Sequence, residues 1–318
     1  MSNQIKISFP DSSVKEYKSG ISSLEIAKSI SNSLAKKILV ASFNDVHIDL
    51  STELTENGSI KFFTWDDIEG KKTFWHSSAH LLAEAVESLY PGVKFGIGPP
   101  IDNGFYYDID FMEYDSSEIN TSKIEKKFID LCSKNLSFER KKISKKEALK
   151  YFKDKGDQYK LELLEDLDDG KITFYNQGNF TDLCKGPHVP SSKFIKSIKI
   201  LNVAGAYWRG DEKNKQLTRL YAISFPKQEL LDDYMLKLEE AKKRDHRKIG
   251  KELELFLFSE KVGQGLPIWL PNGHIVREKL IDFMYREQKK QGYQHVTSPH
   301  IGSKELYVTS GHYEKYGE

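Results

Sequence analysis

The sequence predicts an α+β chain of several domains, and three observations carry that prediction. Residues 1–63 alternate short apolar strands with one amphipathic helix, the order of a small ubiquitin-like β-grasp module. Residues 64–225 mix a helix with strands of alternating aromatics, a mixed α/β domain. Pro226 then precedes a long amphipathic helix over 226–248, and a new pattern begins in 249–318.

In the first module Ile5, Ile7 and Phe9 alternate with polar residues, and Pro10-Asp11-Ser12-Ser13 turns the chain into a strand over 14–17. Ser22 or Ser23 can cap a helix carrying Leu24, Ala27, Ile30 and Leu34 on one face. Strands over 38–43, 46–50 and 59–65 complete the unit. Nothing in it has a catalytic pattern, and His47 reads as a surface residue on a strand edge.

A helix over 75–90 follows, with Leu81, Leu82, Ala85, Val86 and Leu89 as its apolar face. Gly96-Ile97-Gly98 lacks the third glycine of a dinucleotide loop, and Pro99-Pro100 blocks a clean helix start. Asp102-Asn103-Gly104 is a hairpin turn into a strand over 105–111, where Phe105 and Tyr107 read as core. Between Lys123 and Lys160 stand 13 Lys or Arg against 6 Asp or Glu, a surplus of 7 positive charges. Such a surface can contact a phosphate backbone, although solvated Lys-rich helices are equally common. Ser144-Lys-Lys-Glu147 is a capping box that starts a helix there.

Residues 170–180, 198–208 and 217–225 supply further strands. The helix after Pro226 carries Leu230, Tyr234, Leu238 and Ala241 and ends in a basic run through Lys248, favourable for its dipole. Beyond Gly250, Leu253, Leu255 and Leu257 alternate as a strand, residues 263–273 form a Gly/Pro-rich loop, 274–291 a helix, and 292–299 a strand ending at proline. These last residues are too few to close a core of their own.

Composition narrows the function classes. The chain has 318 residues, 38% of them hydrophobic, and 48 Lys plus Arg against 47 Asp plus Glu leave a net charge of +1. A polycation is excluded, so nucleic-acid contact requires a local patch. Two cysteines, Cys132 and Cys184, give no disulfide framework and fit a reducing compartment. The start has no basic segment followed by an apolar run, and no apolar stretch approaches the roughly 18 residues of a membrane span. The expectation is a soluble cytoplasmic enzyme.

The chemistry concentrates in two pairs. His76 and His80, four apart, share one side of a helix. Cys184 and His188 have the same spacing, but Gly186 and Pro187 forbid a regular helix, so a turn must hold them. Four borderline-soft donors are a plausible zinc set. The same groups without metal can bind and activate a water, and either histidine can be a cap or a core residue. Ser77 stands where the zincin motif has its general-base Glu, which removes the metalloprotease reading. Asp182, two residues before Cys184 on an extended segment, points to the same side.

His76-x-x-x-His80 with Asp182-Leu-Cys184-Lys-Gly-Pro-His188 resembles the editing domain shared by threonyl- and alanyl-tRNA synthetases. Gly98-Pro-Pro-Ile-Asp-Asn-Gly-Phe-Tyr-Tyr-Asp108 strengthens the match. The N-terminal module resembles the TGS domain. Arg244-Asp-His-Arg-Lys-Ile-Gly250, residues 292–299 and Ser310-Gly-His-Tyr-Glu-Lys-Tyr316 resemble the entry to a class II synthetase domain and its motif 1, part of an antiparallel-sheet domain. That order is the order of the N-terminal half of bacterial threonyl-tRNA synthetases, and the resemblance covers the whole chain. Class II motifs 2 and 3, the family's zinc ligands that contact threonine, and the anticodon-binding domain are missing from these residues.

The resemblance implies a parent that joins threonine to its tRNA using ATP, with Mg2+ and Zn2+, as a homodimer. This piece is expected to carry the correction step and, alone, to form no threonyl adenylate. Serine lacks only a methyl of threonine, which a pocket discriminates by about 1–3 kcal/mol, so a second site must hydrolyse seryl-tRNA. Carried over by motif, His76, His80, Cys184 and His188 line that pocket with Asp182 beside them, and Lys160 is similar to a lysine the family uses there. Threonyl editing domains work without an obligatory metal, and none is expected here. If zinc is bound, His76, His80, Cys184 and His188 are its ligands.

Overall fold

A computed structural model describes residues 4–316, so the extreme ends of the first and last expected domains, residues 1–3 and 317–318, lie outside the described residues. The chain divides into two compact units, Met1–Met235 and Leu236–Glu318, and the boundary falls inside the helix Gln228–Lys243.

The first unit begins with a mixed five-stranded sheet. Its spatial order is Val14–Lys18, Gln4–Ser8, Gly58–Phe63, Val40–Phe43, Val46–Ile48, with Gln4–Ser8 parallel to Gly58–Phe63 and the other pairs antiparallel. This is a β-grasp arrangement. Ile5 and Ile7 alternate inward with Ile60 and Ala41 against Ile26 and Ala27 of the helix Ser23–Ile30. A Ser22–Glu25 capping box starts that helix, with Ser22 Oγ accepting from Glu25 N and the Glu25 carboxylate accepting from Ser22 N. The helix ends at Ile30, so Leu34 lies in a separate short helix, Asn32–Ala35, which Ser31 caps. His47 is exposed, as expected.

The core of the unit is the helix Ile68–Leu89. It begins seven residues earlier than the periodicity implies, because Asp67 ties the preceding turn by accepting from Thr64 N and Thr64 Oγ1. The two histidines therefore lie mid-helix rather than on its first turn. Gly70 permits the sharp entry, since a Cβ there would collide with the Thr64 carbonyl. From Phe74 to Val86 nearly every residue is buried, so the helix is surrounded rather than laid on a surface. Trp65 packs edge-on against Phe74, Trp75 and Phe225 at 4.7, 5.8 and 5.6 Å.

An antiparallel sheet lies against this helix in the order Ser197–Tyr207, Gln216–Phe225, Gly104–Asp110, Lys94–Phe95, with Pro100–Ile101 also pairing Gly104–Asp110. The Asp102-Asn103-Gly104 hairpin is present. Gly104 has φ +109°, and a Cβ there would meet the Ala222 carbonyl oxygen on the neighbouring strand. Gly104→Ala is expected to lower stability by about 1–3 kcal/mol through backbone strain alone, read as a shift of the urea midpoint; an unchanged midpoint would contradict this register.

A second antiparallel sheet orders Glu139–Lys142, Thr173–Gln177 and Phe180–Leu183. The first of these strands is absent from the sequence reading. All four of its residues are exposed and charged, so no alternation marks it; pairing with Thr173–Gln177 at a sheet edge makes it a strand. The expected capping box holds: Ser144 Oγ accepts from Glu147 N at the start of Lys145–Lys155.

The second unit departs from expectation in three places. The basic helix does not run through Lys248: it stops at Lys243, and Asp245 caps a new helix, His246–Glu252, by accepting from Arg247 N. Leu253 and Leu255 lie outside the strand, which is only Phe256–Leu257 paired with Ile268–Trp269, because Leu253 closes the helix and Glu254 adopts φ +50°. Residues 293–299 form no strand, since among the described residues no neighbouring strand offers them a ladder. The helix Pro271–Lys290 starts at Pro271 rather than His274, as suits proline at a first turn. Among the described residues, no hydrophobic side chain after Leu231 is buried, in keeping with the expectation of too small a core.

Candidate active site

Four elements of the first unit converge. The helix Ile68–Leu89 presents His76, Ser77 and His80. The helix Gln158–Glu165, capped by Asp157 accepting from Lys160 N, presents Lys160. The strand Gly104–Asp110 presents Tyr107, and the strand Phe180–Leu183 with the following loop presents Asp182, Cys184 and His188. The donor atoms of His76, His80, Cys184 and His188 all lie within 4.8 Å of one another, with His76 half-buried and the other three buried.

Cys184 Sγ is 3.2 Å from His76 Nε2 and 3.3 Å from His188 Nε2, and it accepts from Gly186 N at 3.2 Å. Ser77 settles the tautomer of His188. Its hydroxyl donates to the Thr73 carbonyl, which cannot donate in return, and accepts from Val189 N. His188 Nδ1, 3.0 Å away, must therefore carry the proton, leaving an Nε2 lone pair facing the Cys184 sulfur. Phe138 stacks on the His188 ring at 4.9 Å with a 6° tilt, and Tyr175 meets it edge-on at 4.4 Å.

Beside this cluster is a buried ion pair. Lys160 Nζ is 2.7 Å from Asp182 Oδ1 and 2.9 Å from Asp182 Oδ2, and Tyr107 Oη donates to Asp182 Oδ2 at 2.6 Å. All three side chains are essentially shielded from water. All six expected residues are thus brought into one region. Asp182 engages Lys160 and Tyr107 rather than a histidine. Tyr107, read from sequence as core, is core for its ring alone; a buried tyrosine hydroxyl requires a partner, and that was the available signal.

Burial sets the protonation states. It pushes His76 down to about 4 and His80 to about 3, each partly opposed by the Asp182 charge, and His188 well below the ordinary value. The least affected ring is the half-buried one. Burial likewise pushes the Cys184 thiol up to about 12. Burial alone would raise the Asp182 carboxyl, but the Lys160 ammonium and the Tyr107 hydroxyl that donates to it hold it below the ordinary value. At neutral pH the cluster is three neutral imidazoles and a thiol, next to one ion pair. A thiol held neutral is a poor nucleophile, so the arrangement suits activation of a water rather than attack by sulfur.

It also fits a metal. Three nitrogens and one sulfur at these separations match a tetrahedral zinc set, whose neutral imidazoles need lose no proton. The Ser77–His188 contact is the kind of outer hydrogen bond that orients a ligand ring. His80 Nδ1 and both amide atoms of Gln177 are buried without a hydrogen-bond partner among the described residues, so the region has spare polar capacity.

The basic 123–160 segment resolves into different parts. Lys160 points into the site and Lys155 pairs with Glu87 at 2.9 Å. Arg140, Lys141, Lys142, Lys146 and Lys150 remain exposed.

The chain is similar to known proteins over nearly all of its length. Residues 172–221 match the family described as threonyl and alanyl tRNA synthetase second additional domain, a segment that includes Asp182, Cys184 and His188. Residues 5–64 match the TGS domain. The chain is 60% identical over 314 residues to a threonine–tRNA ligase of Cytophaga hutchinsonii, covering 99% of this chain and 49% of that protein. It is 54% identical over 313 residues to that of Flavobacterium psychrophilum (98% and 48%) and 58% identical over 315 residues to that of Porphyromonas gingivalis (99% and 48%). The chain spans about half the length of the curated relatives it matches. No helix among the described residues is long and apolar enough to cross a membrane. The chain is thus a relative of the threonine–tRNA ligases that carries a TGS domain and the second additional domain of threonyl and alanyl tRNA synthetases.

Proposed function

We propose that the pocket of His76, His80, Cys184 and His188 hydrolyses the ester of tRNA for threonine mischarged with serine, within an enzyme that joins threonine to that tRNA. The convergence of these four side chains beside the Lys160–Asp182 pair carries the reading. In this reading 1–63 is the TGS domain, 64–225 the editing domain, 226–248 the linker and 249–318 the beginning of the class II domain. Threonine, ATP, Mg2+, Zn2+ and a homodimer belong to the whole enzyme, which acts in the cytoplasm. The exposed cations of 140–150 lie on a surface suited to tRNA phosphates.

The chemistry is attack of water on the activated ester. The neutral imidazoles of His76 and His80 offer lone pairs that orient a water and take its proton. Lys160, aligned by Asp182 and Tyr107, places positive charge near where the oxyanion develops. Cys184 donates to His188 Nε2 and shapes the pocket without becoming the nucleophile.

The test is release of serine from seryl-tRNA by the chain, beside threonyl-tRNA as control. Serine release well above the spontaneous rate, with threonine retained, is expected; equal rates for both esters would overturn the assignment. The donor spacing favours one second reading, a zinc hydrolase held by the same four residues. Zinc would there supply the activated water. Deacylation unchanged within about twofold after EDTA dialysis supports the metal-free reading, whereas stoichiometric zinc lost together with activity in Cys184→Ser supports the zinc one.

A further inference from the structure

We infer that Gln177 and Glu84 are positioning residues for His80: the Gln177 carbonyl accepts from His80 Nδ1, the Gln177 amide nitrogen donates to Glu84, and the ring's lone pair is thereby fixed on Nε2. The inference deepens the hydrolytic reading of the pocket and rests on it.

His76, His80 and Glu84 follow one another at four-residue spacing on one side of the helix Ile68–Leu89. The strands Thr173–Gln177 and Phe180–Leu183 are joined by a tight turn, with Gln177 paired to Phe180. That turn is docked on the helix. Asn179 N donates to Glu84 Oε1 at 3.3 Å. Gly178, at φ +52°, leaves room for the same oxygen, since a Cβ there would collide with it. The Phe180 ring meets His80 edge-on at 6.3 Å. Gln177, one residue before Gly178, faces the His80 ring. The turn thus sets an amide beside an imidazole and a carboxylate that lie one helical turn apart.

All three side chains are shielded from water, at 1% exposure for Gln177, 3% for His80 and 5% for Glu84. Yet His80 Nδ1, Gln177 Oε1, Gln177 Nε2 and Glu84 Oε2 are all buried without a hydrogen-bond partner among the described residues. The four atoms complement one another. Burial raises the Glu84 carboxyl, opposed by the Asn179 N–H and the Lys134 charge. As a carboxylate it can only accept, so the Gln177 atom turned to it is Nε2. Oε1 is left for His80 and can also only accept, so His80 Nδ1 carries the proton. Closing both bonds pairs all four atoms, each of which costs about 1–3 kcal/mol when buried unpaired. A neutral imidazole has one N–H, so Nε2 keeps the lone pair. Ser77 imposes the same tautomer on His188. With the proton on Nε2 instead, His80 would present a donor where the hydrolytic reading needs an acceptor for the water's proton.

Nitrogen NMR of the histidine rings reads the tautomer directly. In the full chain, held in EDTA at neutral pH, the His80 signals are identified by their loss in His80→Gln and are expected to place the proton on Nδ1. In Gln177→Leu that preference is expected to be lost. The same variant is expected to lower kcat for seryl-tRNA deacylation on the order of 10- to 100-fold, with KM within about twofold. Gln177→Glu sets two carboxylates against each other and is expected to slow deacylation as well. Adding Glu84→Gln to it exchanges the two groups: the new carboxylate accepts from His80 Nδ1 and the new amide donates to that carboxylate. This double variant is expected to restore both kcat and the tautomer.

A proton on His80 Nε2 in the wild type would overturn the inference, as would wild-type kcat in Gln177→Leu. If Gln177→Leu does not fold, Gln177→Glu with and without Glu84→Gln decides: recovery in the double variant sustains the inference, and equal rates in the two overturn it. A wild-type chain that releases no serine would count against the hydrolytic reading alone, and the His80 tautomer in wild type and Gln177→Leu would still decide whether Gln177 positions the ring.

Discussion

Replacing Lys160 with methionine is expected to remove deacylation and destabilise the protein together. The ammonium and the Asp182 carboxylate are each about 95% shielded from water, with side-chain exposures of 4% and 5%. Removing one partner leaves an uncompensated buried charge, a change that costs about 3–5 kcal/mol. Tyr107 cannot compensate, because its hydroxyl already donates to the same carboxylate. The loss of a preorganised cation near the developing oxyanion adds a fall in kcat on the order of 100- to 1,000-fold. Lys160→Met with Asp182→Leu separates the two effects. Replacing both ions with apolar groups returns most of the stability, while deacylation stays lost. Urea midpoints and serine release across the wild type and the two variants check this, and recovery of activity in the double variant would show that the pair is only structural.

The second large effect is sensitivity to acid. His80 and His76 are held near 3 and 4 in the folded chain, and His188 well below its ordinary value, all by burial first. In the unfolded chain each titrates near about 6.5. Below that pH the unfolded state binds protons that the folded state refuses, so stability falls as pH falls. The contribution is fully present above about pH 6.5 and is lost down toward the folded values of about 3–4. By pH 5 each such imidazole costs on the order of 2 kcal/mol, and the three are not fully additive because they face one another. The urea midpoint, measured in EDTA, is therefore expected to drop steeply between pH 7 and pH 5, and His80→Gln to flatten that slope. An identical slope in the variant would place the acid sensitivity elsewhere.

Two strands of the β-grasp module are legible because they are buried: Gln4–Ser8 buries Ile5 and Ile7 on one side, and Val40–Phe43 is a short run buried from Val40 to Ser42. Glu139–Lys142 was not, because an edge strand with four exposed charged residues owes its conformation to its neighbour alone. The start of the histidine helix was misplaced because its first turn, Ile68–Lys71, is set by the Asp67–Thr64 tie rather than by apolar spacing. In the site, His76, His80, Cys184 and His188 declared themselves by their spacing and their chemistry. Ser77 did not: a Ser inside a helix carries no periodic signal, and its contact arises only when His188, 111 positions away, comes to meet it. Tyr107 lies between these cases, since its ring obeys the core pattern and its hydroxyl needs the partner that the fold supplies.

The most direct measurement is the single-turnover rate of serine release from seryl-tRNA, with the chain in excess, for wild type, His76→Ala and Cys184→Ala of matched thermal stability. Release by wild type, with both variants slowed on the order of 100-fold or more, is the expected result. Variants that release serine as fast as wild type would show that the His76–Cys184 pocket is not where the ester is cut.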